Sequence, residues 1–347
     1  MSSLRKITKS PLFHVVLWML PLAAVVWWAW NEPTPQWPNT PAEIAWVGGA
    51  LLLYAVATAM RAERWHAILR SSKIEVGRSD SYGLTVVGYA GNNVLPARGG
   101  ELLRIFLLSS RTGAQRRTVT GTILAERLLD AIALGGVLVV VAFGLIRQFS
   151  TPSPTLVAVA VGLMLVGVFV GLYGWFRHRH HAVRVVDAVR PMVVPLRPLL
   201  GWRGLVLLAG SVAIWVAEAS VYAMIAKSVS IGIDLKAALG IVAFTNLAAL
   251  VPGAPGNAGT YDAAVIWSTL RLTSATKSQA IGFDLMLRFI VFVPISVVGM
   301  GLLFLRYGGL DRLKAARAAA APGSDAEAEA GTPGALVDPA EPVEATA

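Results

Sequence analysis

Cysteine is absent from all 347 residues, which excludes disulfides and thiolate metal sites. Charge is scarce as well: Asp, Glu, Lys and Arg make up 14% of the chain against 55% hydrophobic residues, and mean hydropathy is +0.62. A soluble domain built on one core does not have that balance. No G-x-x-x-x-G-K-[ST] loop is present to cradle a nucleoside triphosphate, and neither a soluble nucleotide-sugar domain nor a metal-holding carboxylate cluster at a membrane surface is recognisable. An ATP-driven pump and an enzyme are both disfavoured, and neither a cofactor nor a metal is expected. The HRHH run at 178–181 lacks the i, i+4 spacing and carboxylate partner of a helical metal site, and reads as contact with anionic lipid.

Acids are scarcer than bases. The net charge is +10, yet six acids and no base follow Arg317, so the rest of the chain carries +16 from 30 basic and 14 acidic residues. In a membrane protein that excess marks cytoplasmic loops facing anionic lipid, and no nucleic-acid partner is implied.

What is present is long apolar runs. Residues 11–30, 42–60, 118–146, 155–176, 204–226 and 279–305 are each long enough for a span of about 20 residues, giving six full transmembrane helices. Arg5, Lys6 and Lys9 precede the first run, which has no small-residue cleavage site, so it reads as an uncleaved anchor with the N-terminus inside. The segment RAERWHAILRSSKIEVGRSD at 61–80 reads as cytoplasmic, a short amphipathic helix on the lipid surface.

Two further stretches are broken and too short to span. GYAGNNVLPARGGELLRIFLLSS at 88–110 places Asn92, Asn93, Arg98, Glu101 and Arg104 around the breakers Pro96, Gly99 and Gly100. FTNLAALVPGAPGNAGTYDAAVIWSTL at 244–270 repeats the order: Pro252 answers to Pro96, Gly256 to Gly100, and Gly259 completes the second glycine cluster. Arg127 downstream of the first stretch answers to Arg288 downstream of the second. If each stretch dips into the membrane and returns, cytoplasmic segments hold 21 of the 30 basic residues; a spanning first stretch would instead put the six-arginine loop at 177–203 outside.

The expected fold is therefore an all-α polytopic membrane protein, with six full transmembrane helices and two re-entrant helical hairpins in an inverted-topology repeat, both termini cytoplasmic. The membrane domain is 1–314, with repeat one at about 42–146 and repeat two at about 204–305; an acidic, disordered tail occupies 315–347. Broken helices meeting at the midplane point to a transport site.

An arginine at bilayer depth costs roughly 2.5 to 3.5 kcal/mol, so such groups face a cavity or a partner. A guanidinium there binds a phosphodiester through two parallel hydrogen bonds. Arg98 is the foremost candidate, and Arg127 and Arg288 form an equivalent clamp from the two repeats. Glu101, Arg104, Asn93 and Asn257 complete the substrate-binding set, helped by the positive N-terminal ends of the half-helices. Glu126, Asp130, Glu218, Asp262 and Asp284 serve charge balance or proton coupling. The competing reading is that all these charges only hold helices together, since Glu101 lies one turn from Arg98 and Arg104, and Glu126 and Asp130 flank Arg127.

NNVLPARGGELLR at 92–104, AERLLD at 125–130 and VPGAPGNAGTYD at 251–262 together resemble the lysylphosphatidylglycerol synthase transmembrane-region family, the flippase-like domains. The likeness runs over 42–305. It implies a bacterial plasma-membrane protein that moves an anionic phospholipid or lipid-linked precursor between leaflets, as a flippase or scramblase without an energy source of its own. With only an acidic tail after the membrane part, synthase activity is not expected. Asn257 and Asp262 stand where the resemblance would place Gly and Glu. The alternatives are a membrane-embedded enzyme or an accessory subunit of envelope lipid or glycan synthesis, for which a homo-oligomer or envelope-synthesis partners would serve.

Overall fold

The structure, a computed structural model, describes residues 32–95, 99–146, 190–249 and 255–309, with only the backbone at 138–146. The spans expected at 11–30 and 155–176, the HRHH run, the acidic tail, and Pro96, Arg98 and Pro252 lie outside the described residues. Among the described residues there is no strand.

The chain enters α1 (Pro41–Ser71) through a capping box, in which Thr40 accepts from the Glu43 amide while Glu43 reaches back to the Thr40 amide, with proline in the first turn. There follow α2 (Arg78–Val94), α3 (Gly99–Thr112) and α4 (Arg116–Ile146). After a 3-10 turn at Val194–Leu200 come α5 (Trp202–Ser228), α6 (Leu235–Ala248), a second 3-10 turn at Pro255–Asn257, α7 (Thr260–Leu272) and α8 (Lys277–Arg306). Helices α1, α5 and α8 are long and apolar enough to cross a membrane. Large apolar side chains such as Leu52, Leu205 and Val297 project outward from them, as a surface facing lipid requires.

One expectation is corrected. Helix α1 does not stop near Met60 and restart as an amphipathic surface helix; it runs unbroken to Ser71. Arg64 is buried and Arg61 nearly so, because α4 supplies two carboxylates to Arg64 and α5 supplies one to Arg61. At about 1.5 Å per residue the 31 residues of α1 exceed a ~30 Å hydrocarbon core by several turns.

Helices α1 and α5 are antiparallel: Ser230 donates to Glu43 at one end, and Arg64 donates to Ser211 further along. Helix α8 is antiparallel to α2, joined by Asn93 to Ser296 at 3.0 Å and by Arg306 to Ser79 at 2.7 Å. The α1–α2 connection, the end of α3 and the end of α8 therefore share one end of the bundle, where Arg111 and Arg306 both reach Asp80. The α5–α6 connection and the start of α8 occupy the opposite end with the start of α1, where Gln279 donates to Ser230 O.

Helices α2 and α3 form a hairpin open to the first end, and α6 and α7 form one open to the second. Each arm, at 13 to 17 residues, is shorter than the roughly 20 needed to cross a bilayer. The closed tips meet: a Cβ on Gly256 would lie 3.4 Å from Asn93 O. The first hairpin closes through glycine, since a methyl on Gly100 would collide with Gly88 O and a Cβ on Gly91 would come within 2.7 Å of Gly100 Cα. The packing has a further regularity. Exchanging α1–α4 with α5–α8 in order maps the packed helix pairs onto themselves: α2 against α8 becomes α6 against α4, and α3 against α4 becomes α7 against α8.

Buried side chains form two main clusters. One surrounds Tyr222, Ile225, Phe283 and Leu287 between α5, α7 and α8; the other surrounds Trp65, Leu84, Leu108 and Leu303 between α1, α2, α3 and α8. The charged residues lie beside these clusters.

Candidate functional site

The first charged group is built where α1, α3, α4 and α5 converge. Arg104 donates to Glu126 at 2.8 Å, its guanidinium stacked 3.9 Å from the centroid of the Trp65 ring. Arg64 contacts Asp130 at 2.6 Å and Glu126 at 3.9 Å. Arg61 pairs with Glu218, and Arg127 pairs with Glu101 at 2.8 Å and more distantly with Asp130 at 3.7 Å. Four arginines thus meet four carboxylates. Arg64, Arg104 and Glu126 are closed off from solvent, whereas the Arg127 side chain is 34% exposed. The Nε atoms of Arg64, Arg104 and Arg127 are buried without a partner.

The second group sits on α7, α8 and the break before α7. Arg288 grips Asp262 with two parallel hydrogen bonds, Nε to Oδ1 at 2.5 Å and Nη2 to Oδ2 at 2.8 Å. Its remaining reach goes to the carbonyls that the break leaves free, Gly256 O at 2.7 Å and Asn257 O at 3.4 Å. Tyr261 and Phe292, packed edge to face, lie against it with ring centroids at 4.9 and 4.5 Å. Gly256 is left-handed at φ 67, and Asn257 is left-handed at φ 52. Asparagine tolerates that region better than other side-chain-bearing residues, so the residue standing in place of glycine keeps the backbone of the break. Asp262 also caps α7 by accepting from the Gly259 amide at 2.7 Å, and Gly259 itself has φ 89.

The two groups correspond. Glu101 and Asp262 each lie in the first turn of a hairpin's second arm. Arg127 and Arg288 each stand eleven positions after the first residue of the long helix that follows, Arg116 and Lys277. Both arginines are partly exposed, at 34% and 21% of the side chain.

Asn93 holds the hairpin tip against α8, donating to Ser296. Asp284 is buried beside Asp262. Outside the spans, burial first and the Asp80 carboxylate second hold the Tyr307 hydroxyl above its ordinary range at the end of α8. Arg61, Arg64, Trp65 and Ser211 were not singled out from sequence. The signal for them was the lack of any proline between Pro41 and Ser71, which lets one helix carry Arg61 and Arg64 on a shared face.

The model of the lysylphosphatidylglycerol synthase TM region matches residues 12–299. This chain belongs to that family. It is 25% identical over 282 residues to a UPF0104 membrane protein of Methanothermobacter thermautotrophicus, covering 72% of this chain and 82% of that one. It is 22% identical over 283 residues to the glycosyltransferase AglD of Haloferax volcanii, across 69% of this chain but only 45% of AglD. A UPF0104 membrane protein of Pyrococcus horikoshii is 29% identical over 111 residues, 31% of this chain and 33% of that protein. No solved structure matches. Family and helices together make this a polytopic helical membrane protein.

Proposed function

We propose that this family member moves an anionic phospholipid or a lipid-linked precursor between the leaflets of the plasma membrane, with Arg127 and Arg288 receiving the phosphate. The observation that carries the reading is the matched pair: an arginine on each long helix, partly exposed beside a hairpin break and held by a first-turn acid. A guanidinium that already binds a carboxylate with two parallel hydrogen bonds offers the same fork to a phosphodiester. The exchange of packing partners between α1–α4 and α5–α8 supports an inverted-topology repeat, and the short arms support hairpins that re-enter the membrane from opposite sides. Alternating access is then a rocking of one half against the other about the tips. In this reading both termini are cytoplasmic, and Arg104 serves as a buried tie.

The test is leaflet-to-leaflet movement of fluorescent phosphatidylglycerol and phosphatidylcholine in proteoliposomes. The intact protein is expected to move the anionic lipid faster, and Arg127→Ala or Arg288→Ala to slow it about tenfold, a loss of about 1.4 kcal/mol. Rates unchanged in both variants would overturn the assignment. The likeness to AglD favours a second reading, an accessory membrane subunit in envelope glycan synthesis. Recovering the lipid chemically altered, instead of merely relocated, would point to catalysis instead of either role.

A further inference from the structure

In the first charged group every arginine has its own acid. Glu218 has Arg61, Asp130 has Arg64, Glu126 has Arg104 and Glu101 has Arg127. The second group is unbalanced. Among the described residues Arg288 is the one guanidinium there, and its hydrogen bonds are spent on Asp262 and the two carbonyls of the break. Asp284, one helical turn before Arg288 on α8, is 4% exposed, and its Oδ1 is buried with no hydrogen-bond partner. Among the described residues no ion pair engages Asp284, and the Asp262 carboxylate lies beside it.

The groups facing Asp284 from each packed element make the shortage plain. Helix α7 presents Asp262 and Tyr261, α5 presents Tyr222, and α8 itself presents Arg288 at a distance. The ionisable groups of α1 and α2 are engaged elsewhere: Arg61, Arg64, Tyr54 and Tyr89 with the first charged group, and Asp80 with Arg306 and Arg111. A buried carboxylate beside a partly exposed one, served among the described residues by a single arginine, cannot keep its negative charge without a further positive one.

We propose that Asp262 and Asp284 form a proton-binding site in which one proton, carried on Asp284 and pointed at Asp262, supplies the missing positive charge. The proton makes Asp284, whose buried Oδ1 has no partner, the donor, and the partly exposed Asp262 accepts from it. Resting on the transport reading, the site also has a use. Asp262 is the acid that holds Arg288, so a phosphate arriving at Arg288 displaces Asp262, and the freed carboxylate competes for the same proton. Loading of the anionic headgroup and occupancy of the proton site are thereby coupled through one arginine. Tyr261 and Tyr222, whose hydroxyls lie 2.7 Å apart, are buried between α5 and α7.

The test is infrared spectroscopy of the purified full-length protein at neutral pH, comparing the intact chain with Asp284→Asn. A protonated-carboxyl stretching band is expected in the intact protein, equally in sodium and potassium chloride, and it should be lost in Asp284→Asn. Gel filtration shows whether the variant is folded. Asp262→Asn provides an independent check, because it leaves one carboxylate for one arginine and should also lose the band. Absence of the band from the intact protein, or its persistence in both variants, would overturn the site; so would a band removed by sodium, which would make the bound charge a metal cation. Because the band is read without any lipid movement, its presence in a preparation that transports nothing keeps the site and overturns the transport reading alone.

Discussion

The two charged groups differ in balance and in access. The group around Arg104 and Glu126 is neutral by count, four bases to four acids, with its centre closed to solvent. Among the described residues the group around Arg288 has one base to two acids, and its arginine is partly open. A balanced, buried network fixes helices. An unbalanced one at a broken helix has a vacancy to fill, and so can respond to what binds. In the proposed reading the two groups divide the work: the first anchors α1, α3, α4 and α5, while the second carries the movable charge.

The largest effect should come from breaking the anchor. Glu126→Ala leaves Arg104 buried without a carboxylate and strips Arg64 of one of its two; thermal unfolding in detergent should show a loss of about 3–5 kcal/mol. Asp262→Ala removes a partly exposed pair and a helix cap, and about 1–2 kcal/mol is expected. Equal losses would erase the contrast.

The breaks themselves differ in what they ask of their glycines. Gly100 is required for space, so Gly100→Val should force α2 and α3 apart at a cost of about 1–3 kcal/mol, seen in the same unfolding assay. At the second break the demand is on the backbone: Asn257→Val should cost about 1–2 kcal/mol because φ is 52, while Asn257→Gly should be tolerated. If valine were accepted equally at both positions, the breaks would be ordinary turns. The smallest effect is expected at the tie between Arg306 and Asp80, exposed at 39% and 22%, where Arg306→Ala should cost no more than about 1 kcal/mol and less at high salt.

Much of the plan was legible before any coordinates. The order of proline and glycine in 88–110 and 244–270 marks both hairpins, because those residues act on the backbone locally. The correspondence of Arg127 with Arg288 was legible for the same reason, since each follows its hairpin at nearly constant spacing. The partners were not. Arg104 reaches Glu126 and Arg64 reaches Asp130 across helices, and charge counting along the chain assigned Arg61 and Arg64 to a cytoplasmic amphipathic helix at the lipid surface. Such pairings depend on how helices cross, which short-range pattern does not encode. Nor did spacing reveal that no base pairs with Asp284 among the described residues, since Arg288 lies one turn away on the same helix yet turns to Asp262.

The measurement that bears most directly on the account is the sidedness of the two hairpins. The chain has no cysteine of its own, so Glu75→Cys, exposed before α2, and Lys236→Cys, exposed at the start of α6, can each be probed with a membrane-impermeant maleimide. In intact cells Lys236→Cys should label at once, and Glu75→Cys only after permeabilisation. Labelling of both from the same side would contradict hairpins entering from opposite faces, and with it the two-fold plan on which the paired arginines rest.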